Sequence, residues 1–297
     1  MTTAPANYLI HPDPSRLSVE AWTKWALPFD KHTPVQLQYR NELRTALMGL
    51  RAENLLHATH TSQHALRGPD VENLLFYNVR AAAFRHLAKD ALRFERRNAP
   101  PPAAPEPLDF EARHHVRYEV RTTRELPFHY TTADACVASA RTVCTEAKQV
   151  KDLAGLWRSF KSAMVGNAGA TGLERNSFSI QLTISAPLRY RFNLTSIVKP
   201  LTDAFISALH CYRGEQLDEV VRRVSLCLTC APDTIRELLL DTRSALLGPR
   251  AVPHLRDKGV QWSPADDGLI ACEILRETSP ADSAIEVRGC LFSAPPL

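Results

Sequence analysis

The sequence predicts an α+β fold. A helical N-terminal region, residues 1–97, leads through a proline-rich linker, residues 98–107, into a mixed-sheet α/β domain with flanking helices, residues 108–297. Three observations carry this expectation. Apolar residues in the first third recur at helical spacing. The stretch from Asn98 to Pro107 carries repeated proline, which removes backbone donors and favours extended chain. Beyond it, segments of strict apolar–polar alternation, the mark of half-buried strands, are interleaved with helical ones. The 297 residues are 44% hydrophobic and 23% charged, a globular rather than a disordered balance. The formal charge of +4 is too small to indicate a nucleic-acid partner by itself.

The opening residues, rich in proline and aromatics, read as an arm with one short helix over residues 18–25, with Ser18 as N-cap. A long helix follows over residues 35–57, on a stripe of Leu37, Leu43, Leu47, Leu50 and Leu55, and a polar run over 57–68 ends it. Residues 71–97 read as helical, with an uncertain start because 76–79 suits an extended chain equally well. After the linker, alternation predicts a strand at 115–121. Helices are expected at 132–148 and 153–164, a glycine-rich loop at 166–172, and the best strand at 177–184. A helix over 194–212, with a break near Pro200, is followed by a strand at 220–230. A helix over 232–247 is stopped by Gly248-Pro249. Strands at 269–275 and 284–292 close the domain.

The sequence has no run of about 20 apolar residues able to span a bilayer. Its first residues lack the basic and apolar regions of a secretory signal. With seven cysteines in no recognisable framework, the expectation is a cytoplasmic protein with reduced thiols and no membrane partner.

Several polar clusters are candidates for chemistry. Lys199 and Asp203 stand four apart on one helix face, after the arginine-bearing turn of Arg189 and Arg191. They form either a surface i,i+4 pair or part of a phosphate site. Asp70 and Glu72 stand two apart ahead of Asn73. They serve either a helix start or, on extended chain, a shared cation. His57, His60 and His64 share a helix face if that segment is helical. Arg80, Arg85, Lys89 and Arg93, with Arg96 and Arg97, form a basic stripe able to follow phosphates. Trp262, Asp266 and Asp267 lie in an ordered loop where the acids suit either a turn or a cation. Cys227 and Cys230 are expected as buried core cysteines. No Gly-x-Ser-x-Gly or P-loop is present.

The segment with Lys199-Pro-Leu-Thr-Asp203-Ala-Phe205 behind a strand, and Asp218-Glu219 ahead of the next, resembles RusA-type Holliday-junction resolvases over about 60 residues. In that family a strand leads into Asp-x-Asp-Asn-x-x-Lys and an apolar helix, and an acidic pair precedes a further strand. The resemblance implies Mg²⁺-dependent phosphodiester hydrolysis, with Lys199, Asp203 and Asp218 as catalytic residues and Glu219 as a metal ligand. The chain departs from the pattern where Asn193 and Thr195 replace the two metal-binding aspartates. The resemblance therefore implies either a degenerate site or one whose missing carboxylates, Asp70 and Glu72, arrive from elsewhere as metal ligands. Arg189, Arg191, Arg222, Arg223, Arg85, Lys89 and Arg93 are the expected nucleic-acid contacts. The competing expectation is a non-catalytic adaptor or assembly subunit. It would clasp a protein partner or a second copy of the chain through an exposed patch of Trp22, Trp25 and Phe29.

Overall fold

A computed structural model of the chain describes residues 7–63, 70–122, 128, 130, 136–166, 173, 177–264, 266–279 and 284–294. The first half contributes β1 (Tyr8–Pro12), β2 (Ser18–Thr23), α1 (Pro34–Met48), β3 (Leu55–Thr61), β4 (Ala91–Arg97) and β5 (His114–Arg121). The second contributes β6 (Cys136–Cys144), α2 (Leu153–Ala163), β7 (Val165–Gly166), β8 (Phe178–Ala186), α3 (Leu194–Ala208), β9 (Cys211–Tyr212), α4 (Leu217–Leu228) and α5 (Pro232–Leu240). Five strands complete it: β10 (Pro249–Arg250), β11 (His254–Arg256), β12 (Gly259–Gln261), β13 (Leu269–Thr278) and β14 (Ile285–Ser293), the last two joining the main sheet. The α+β expectation holds.

The main sheet runs β1-β2-β5-β3-β4-β13-β8-β14-β6-β7. β3 and β4 are parallel, as are β13 and β8, while their other neighbours are antiparallel. Register defines the two faces. One row across the sheet reads Val120, Leu56, Leu92, Ile274, Leu182 and Gly289. The next row reads Glu119, His57, Arg93, Glu273, Gln181 and Cys290. Because side chains alternate along a strand, the first row faces the helices and the second faces away.

The apolar row packs under α3, whose buried residues include Ile197, Val198, Leu201 and Phe205. The fit is close at Gly289. A Cβ there would stand 2.3 Å from the Phe205 ring, so only glycine lets the helix approach. α2 lies beside α3 and sets Phe160 edge-on to Phe205 at 5.4 Å.

The polar row is held by charge. Arg93 Nε donates to Glu273 Oε1 at 2.7 Å and Gln181 Nε2 to Glu273 Oε2 at 2.6 Å, with Arg93 beneath the Phe128 ring. His57 and Arg97 both reach Glu95, at 3.1 and 2.6 Å. Arg93 is therefore buried in an ion pair, which removes it from the expected nucleic-acid surface.

The N-terminal region differs most from expectation. Residues 18–25 give a strand rather than a helix: Val19, Ala21 and Thr23 face the core side, and Ser18, Glu20 and Trp22 the other. The helix begun at Pro34 ends at Met48, residues 57–61 of the polar run lie in β3, and its residues 64–68 lie outside the described residues. The start of α1 is fixed by a capping box, Thr33 with Gln36. Residues 71–97 are a π-helical turn (Asn73–Tyr77), a 3-10 turn (Ala81–Phe84) and β4. Among the described residues the region thus gives the sheet four strands beside its one α-helix, and pairing within one sheet outweighed local helical spacing. The proline-rich stretch connects β4 to β5 inside that sheet, anchored by Trp22 Nε1 donating to Pro102 O at 2.8 Å.

Two further segments change type. Residues 136–144 of the expected helix at 132–148 form β6, and residues 132–135 lie outside the described residues. The expected strand at 220–230 is α4, because Val220, Val221 and Val224 make one buried helical stripe. Asp218 and Glu219 sit in its first turn, where the helix dipole favours them. Cys227 is consequently exposed rather than buried. α5 ends at Leu240, earlier than expected, and residues 167–172 of the glycine-rich stretch lie outside the described residues. Among the described residues no helix is long and apolar enough to cross a membrane.

Candidate metal centre and basic cleft

Two local irregularities build the site. Asp70-Val-Glu-Asn enters the π-helical turn, where Asn78 N–H donates to Asn73 O at 2.9 Å. Such turns widen the backbone and recur at functional positions. Asp70 is steadied by Asn73 Nδ2 at 2.6 Å. Opposite, Pro200 lies inside α3 and cannot donate to the helical ladder. The backbone N–H of Lys199 donates to Tyr77 Oη at 3.1 Å, and Thr202 Oγ donates back to Val198 O at 3.0 Å. The opened turn presents Lys199 to the π-helical segment.

Lys199 Nζ lies 3.3 Å from Asp70 Oδ2, 3.2 Å from Glu72 Oε1, 3.3 Å from Asp203 Oδ1 and 3.8 Å from Asp266 Oδ2. Asp70 and Glu72 thus stand beside Lys199, as the reading of carboxylates arriving from elsewhere requires. Asp266 comes from a 3-10 turn (Asp266–Gly268) immediately before β13. Arg96, buried at the end of β4, is within electrostatic reach of Asp70, Glu72, Asp266 and Asp267.

Four carboxylates around one ammonium leave an excess of negative charge. Burial raises the Glu72 carboxyl to about 7 against the pull of Lys199, with Asp70 and Asp203 adding to the rise. Burial likewise lifts Asp203 to about 7, and burial with the neighbouring Asp70 and Glu72 lifts Asp266 to about 7. Burial disfavours the Lys199 ammonium, but Glu72, Asp203, Asp70 and Asp266 outweigh it and hold the group charged, above its ordinary range.

Asp70, Glu72 and Asp266 each offer one oxygen, and these oxygens lie within 4.8 Å of one another. Ligands 2.0–2.6 Å from one hard cation fall within about 5 Å of each other, so the trio can hold a metal ion. An independent observation fits: Glu72 is wholly buried and its Oε2 has no hydrogen-bond partner. A buried acceptor left unpaired costs free energy that a bound cation would recover.

The other expected site residues divide. Asp218 is exposed and pairs with Arg236. Glu219 is bound by Arg222 and Arg223, each at 2.7 Å, so these two arginines are also spent on a helix-surface network. This corrects Asp218 as a catalytic residue, Glu219 as a ligand, and Arg222 and Arg223 as nucleic-acid contacts, because helix α4 turns all four toward one another or toward α5. The acidic pair that stands ahead of a strand at the site is Asp266-Asp267. Arg189 lies over the Tyr190 ring, 4.9 Å from its centroid. Arg85, Lys89 and Arg191 converge on one cleft of about 520 Å³, joined by Arg276, which the sequence did not single out.

The remaining candidates take structural places. His57 faces Glu95 while His60 faces the opposite side, stacked on His114 at 5.5 Å, so strand alternation separates them. His64 lies outside the described residues. Trp262 packs on Trp157 at 4.9 Å. Trp22 is buried and Trp25 packs edge-on to Tyr39, which leaves Phe29 as the exposed member of the expected adaptor patch. Comparison with protein-family models and with curated proteins gives no match for this chain.

Proposed function

We propose that the chain is a Mg²⁺-dependent phosphodiesterase acting on nucleic acid, of the kind its likeness to RusA-type resolvases suggests. The observation that carries this reading is the convergence of Asp70, Glu72 and Asp266 beside Lys199, with Glu72 Oε2 buried and unpaired. The all-carboxylate donor set suits a hard dication. It supplies in space the acids absent at Asn193 and Thr195, so the site is an intact one assembled from separate segments.

A bound Mg²⁺ would supply water activation and charge neutralisation at phosphorus. The chain's own residues do the rest. Asp70, Glu72 and Asp266 would hold the cation. Lys199, kept protonated by its carboxylates, donates to a non-bridging phosphate oxygen. Asp203, one turn along α3, accepts from Lys199 Nζ at 3.3 Å, and Arg96 stands as a second positive group near Asp70, Glu72 and Asp266. The free cysteines suit a reducing compartment.

The test is calorimetric titration with Mg²⁺ and Mn²⁺, alongside cleavage of single-stranded, duplex and branched DNA. Wild type binds metal and cleaves at least one substrate. Glu72→Gln and Asp70→Asn each lose at least about tenfold in metal affinity. A wild-type protein that takes up neither cation, or a Glu72→Gln variant that cleaves at the wild-type rate, overturns the proposal.

A further inference from the structure

The metal centre and the basic cleft are two ends of one construction. The segment from Asp70 to Asp90 and the segment from Leu188 to Asp203 run antiparallel against each other. Glu72 meets Lys199, Tyr77 Oη meets the Lys199 backbone, and Thr195 Oγ donates to Ala81 O at 3.5 Å. Arg85 and Lys89 then meet Arg191 and Phe192 across the cleft. Acids occupy one end of this paired strip and bases the other.

The basic end is unneutralised. Arg85, Lys89 and Arg191 are exposed, and among the described residues none of them forms an ion pair with a carboxylate. Asp90 is the one acid lining the cleft, and Arg276 already reaches it at 3.7 Å. Elsewhere on the surface Arg141, Arg222 and Arg243 are each matched to an acid, whereas Lys31, Arg213 and Arg250 are exposed singly and line no cleft with the basic trio. Cations gathered in a concavity without counter-charges raise the local concentration of anions.

The geometry points to the cleft as a phosphate-backbone subsite that holds a polynucleotide away from the bond to be cut. The inference rests on the phosphodiesterase reading of the metal centre and extends it to the substrate class: a chain with several phosphates beyond the scissile one, not a mononucleotide ester. Lys199 is five residues into α3, about 8 Å along its axis from the cleft end at 1.5 Å per residue. With phosphates about 3.4 Å apart per strand when projected on a duplex axis, the interval corresponds to about two of them in axial rise. Phe192 and His86, on the cleft wall, offer flat surfaces beside that backbone.

The experiment compares wild type with a cleft variant, Arg85→Ala/Lys89→Ala/Arg191→Ala, and a charge-matched control, Arg141→Ala/Arg222→Ala/Arg243→Ala. Binding of a labelled DNA duplex and of single-stranded DNA is followed against salt with Ca²⁺ in place of Mg²⁺. The cleft variant is expected to bind about 10- to 100-fold more weakly at low salt, its log–log salt slope reduced by about three. The control stays near wild type. Hydrolysis of bis(p-nitrophenyl) phosphate, too short to reach the cleft, is unchanged in the cleft variant, as is metal titration, which also reports that it is folded. A wild type that binds neither DNA, or a cleft variant that binds like the control, overturns the subsite. Cleft-dependent DNA binding by a protein that takes up no metal instead overturns the phosphodiesterase reading and leaves the anion cleft standing.

Discussion

Replacing Glu72 by glutamine tests the charge balance of the candidate metal centre most directly. The two side chains have the same shape, so the change removes a charge and little else. In the wild type the Glu72 carboxyl is lifted from 4.5 to about 7 by burial. An acid whose folded value is raised contributes stability that is complete below its unfolded value and is lost as pH rises through the folded one. Without metal, the protein should therefore weaken between about pH 4.5 and 7, by on the order of 3 kcal/mol from this group, at 1.36 kcal/mol per unit. Asp203 and Asp266 are raised in the same window, so the three carboxyls titrate as a set and the loss belongs to the set. Glu72→Gln removes one member and relieves the other two, so its stability should be flatter with pH. Mg²⁺ at a hundred times its dissociation constant should restore about 2.7 kcal/mol to the wild type at pH 7.5 and much less to the variant. Urea unfolding at pH 5 and pH 7.5, with and without Mg²⁺, measures all four terms. Parallel pH curves for the two proteins, or equal stabilisation of both by Mg²⁺, would refute the reasoning.

Lys199→Ala removes the ammonium facing four carboxylates. The variant should lose stability relative to wild type most sharply above pH 7, where Glu72, Asp203 and Asp266 ionise, and added Mn²⁺ should return part of it in the same urea assay. Gly289→Ala places a methyl group 2.3 Å from the Phe205 ring and should cost about 1–3 kcal/mol, read as a lower urea midpoint. Glu273→Ala strands the buried Arg93 guanidinium and should cost about 3–5 kcal/mol, while the double change with Arg93→Met should recover most of it. Burial works against the Glu95 carboxylate, yet hydrogen bonds from His57 and Arg97 hold it down to about 2. Its contribution is present above about pH 4.5 and is lost as pH falls toward 2, a loss that Glu95→Gln should abolish in an acid-unfolding titration.

Much of the second half was legible in the sequence because its elements obey a single period. β8 alternates without interruption, α2 and α3 carry regular apolar stripes, and Gly248-Pro249 marks a real turn. The first half was not, because its strands are short and pair with partners far along the chain. Ser18 through Thr23 alternates correctly, but nothing local reveals β5 waiting about a hundred residues away. Residues 91–97 carry Leu92, Phe94 and Arg96 on one face and Arg93, Glu95 and Arg97 on the other. Both faces are buried, so charged residues stand where an interior strand normally carries apolar ones. The site followed the same division. Asp70, Glu72, Lys199 and Asp266 were each visible as candidates, but their meeting depends on the π-helical turn and on the opened turn at Pro200. Asp218-Glu219 satisfied the motif by order alone, and the helix dipole of α4 accounts for them. Arg276 had no local signal, since it stands in an otherwise ordinary strand.

The carboxylates that meet around Lys199 come from stretches separated by 127 residues on one side and, through Asp266, from a turn immediately before β13, which pairs with β4 and β8. During synthesis the early acids must therefore wait, hydrated and independent, until almost the entire chain has emerged. If the trio takes up a cation, its binding would report that the strands between these segments have found their neighbours. A truncated or misregistered product would keep these carboxylates apart, so the cluster itself is a property of the finished fold alone.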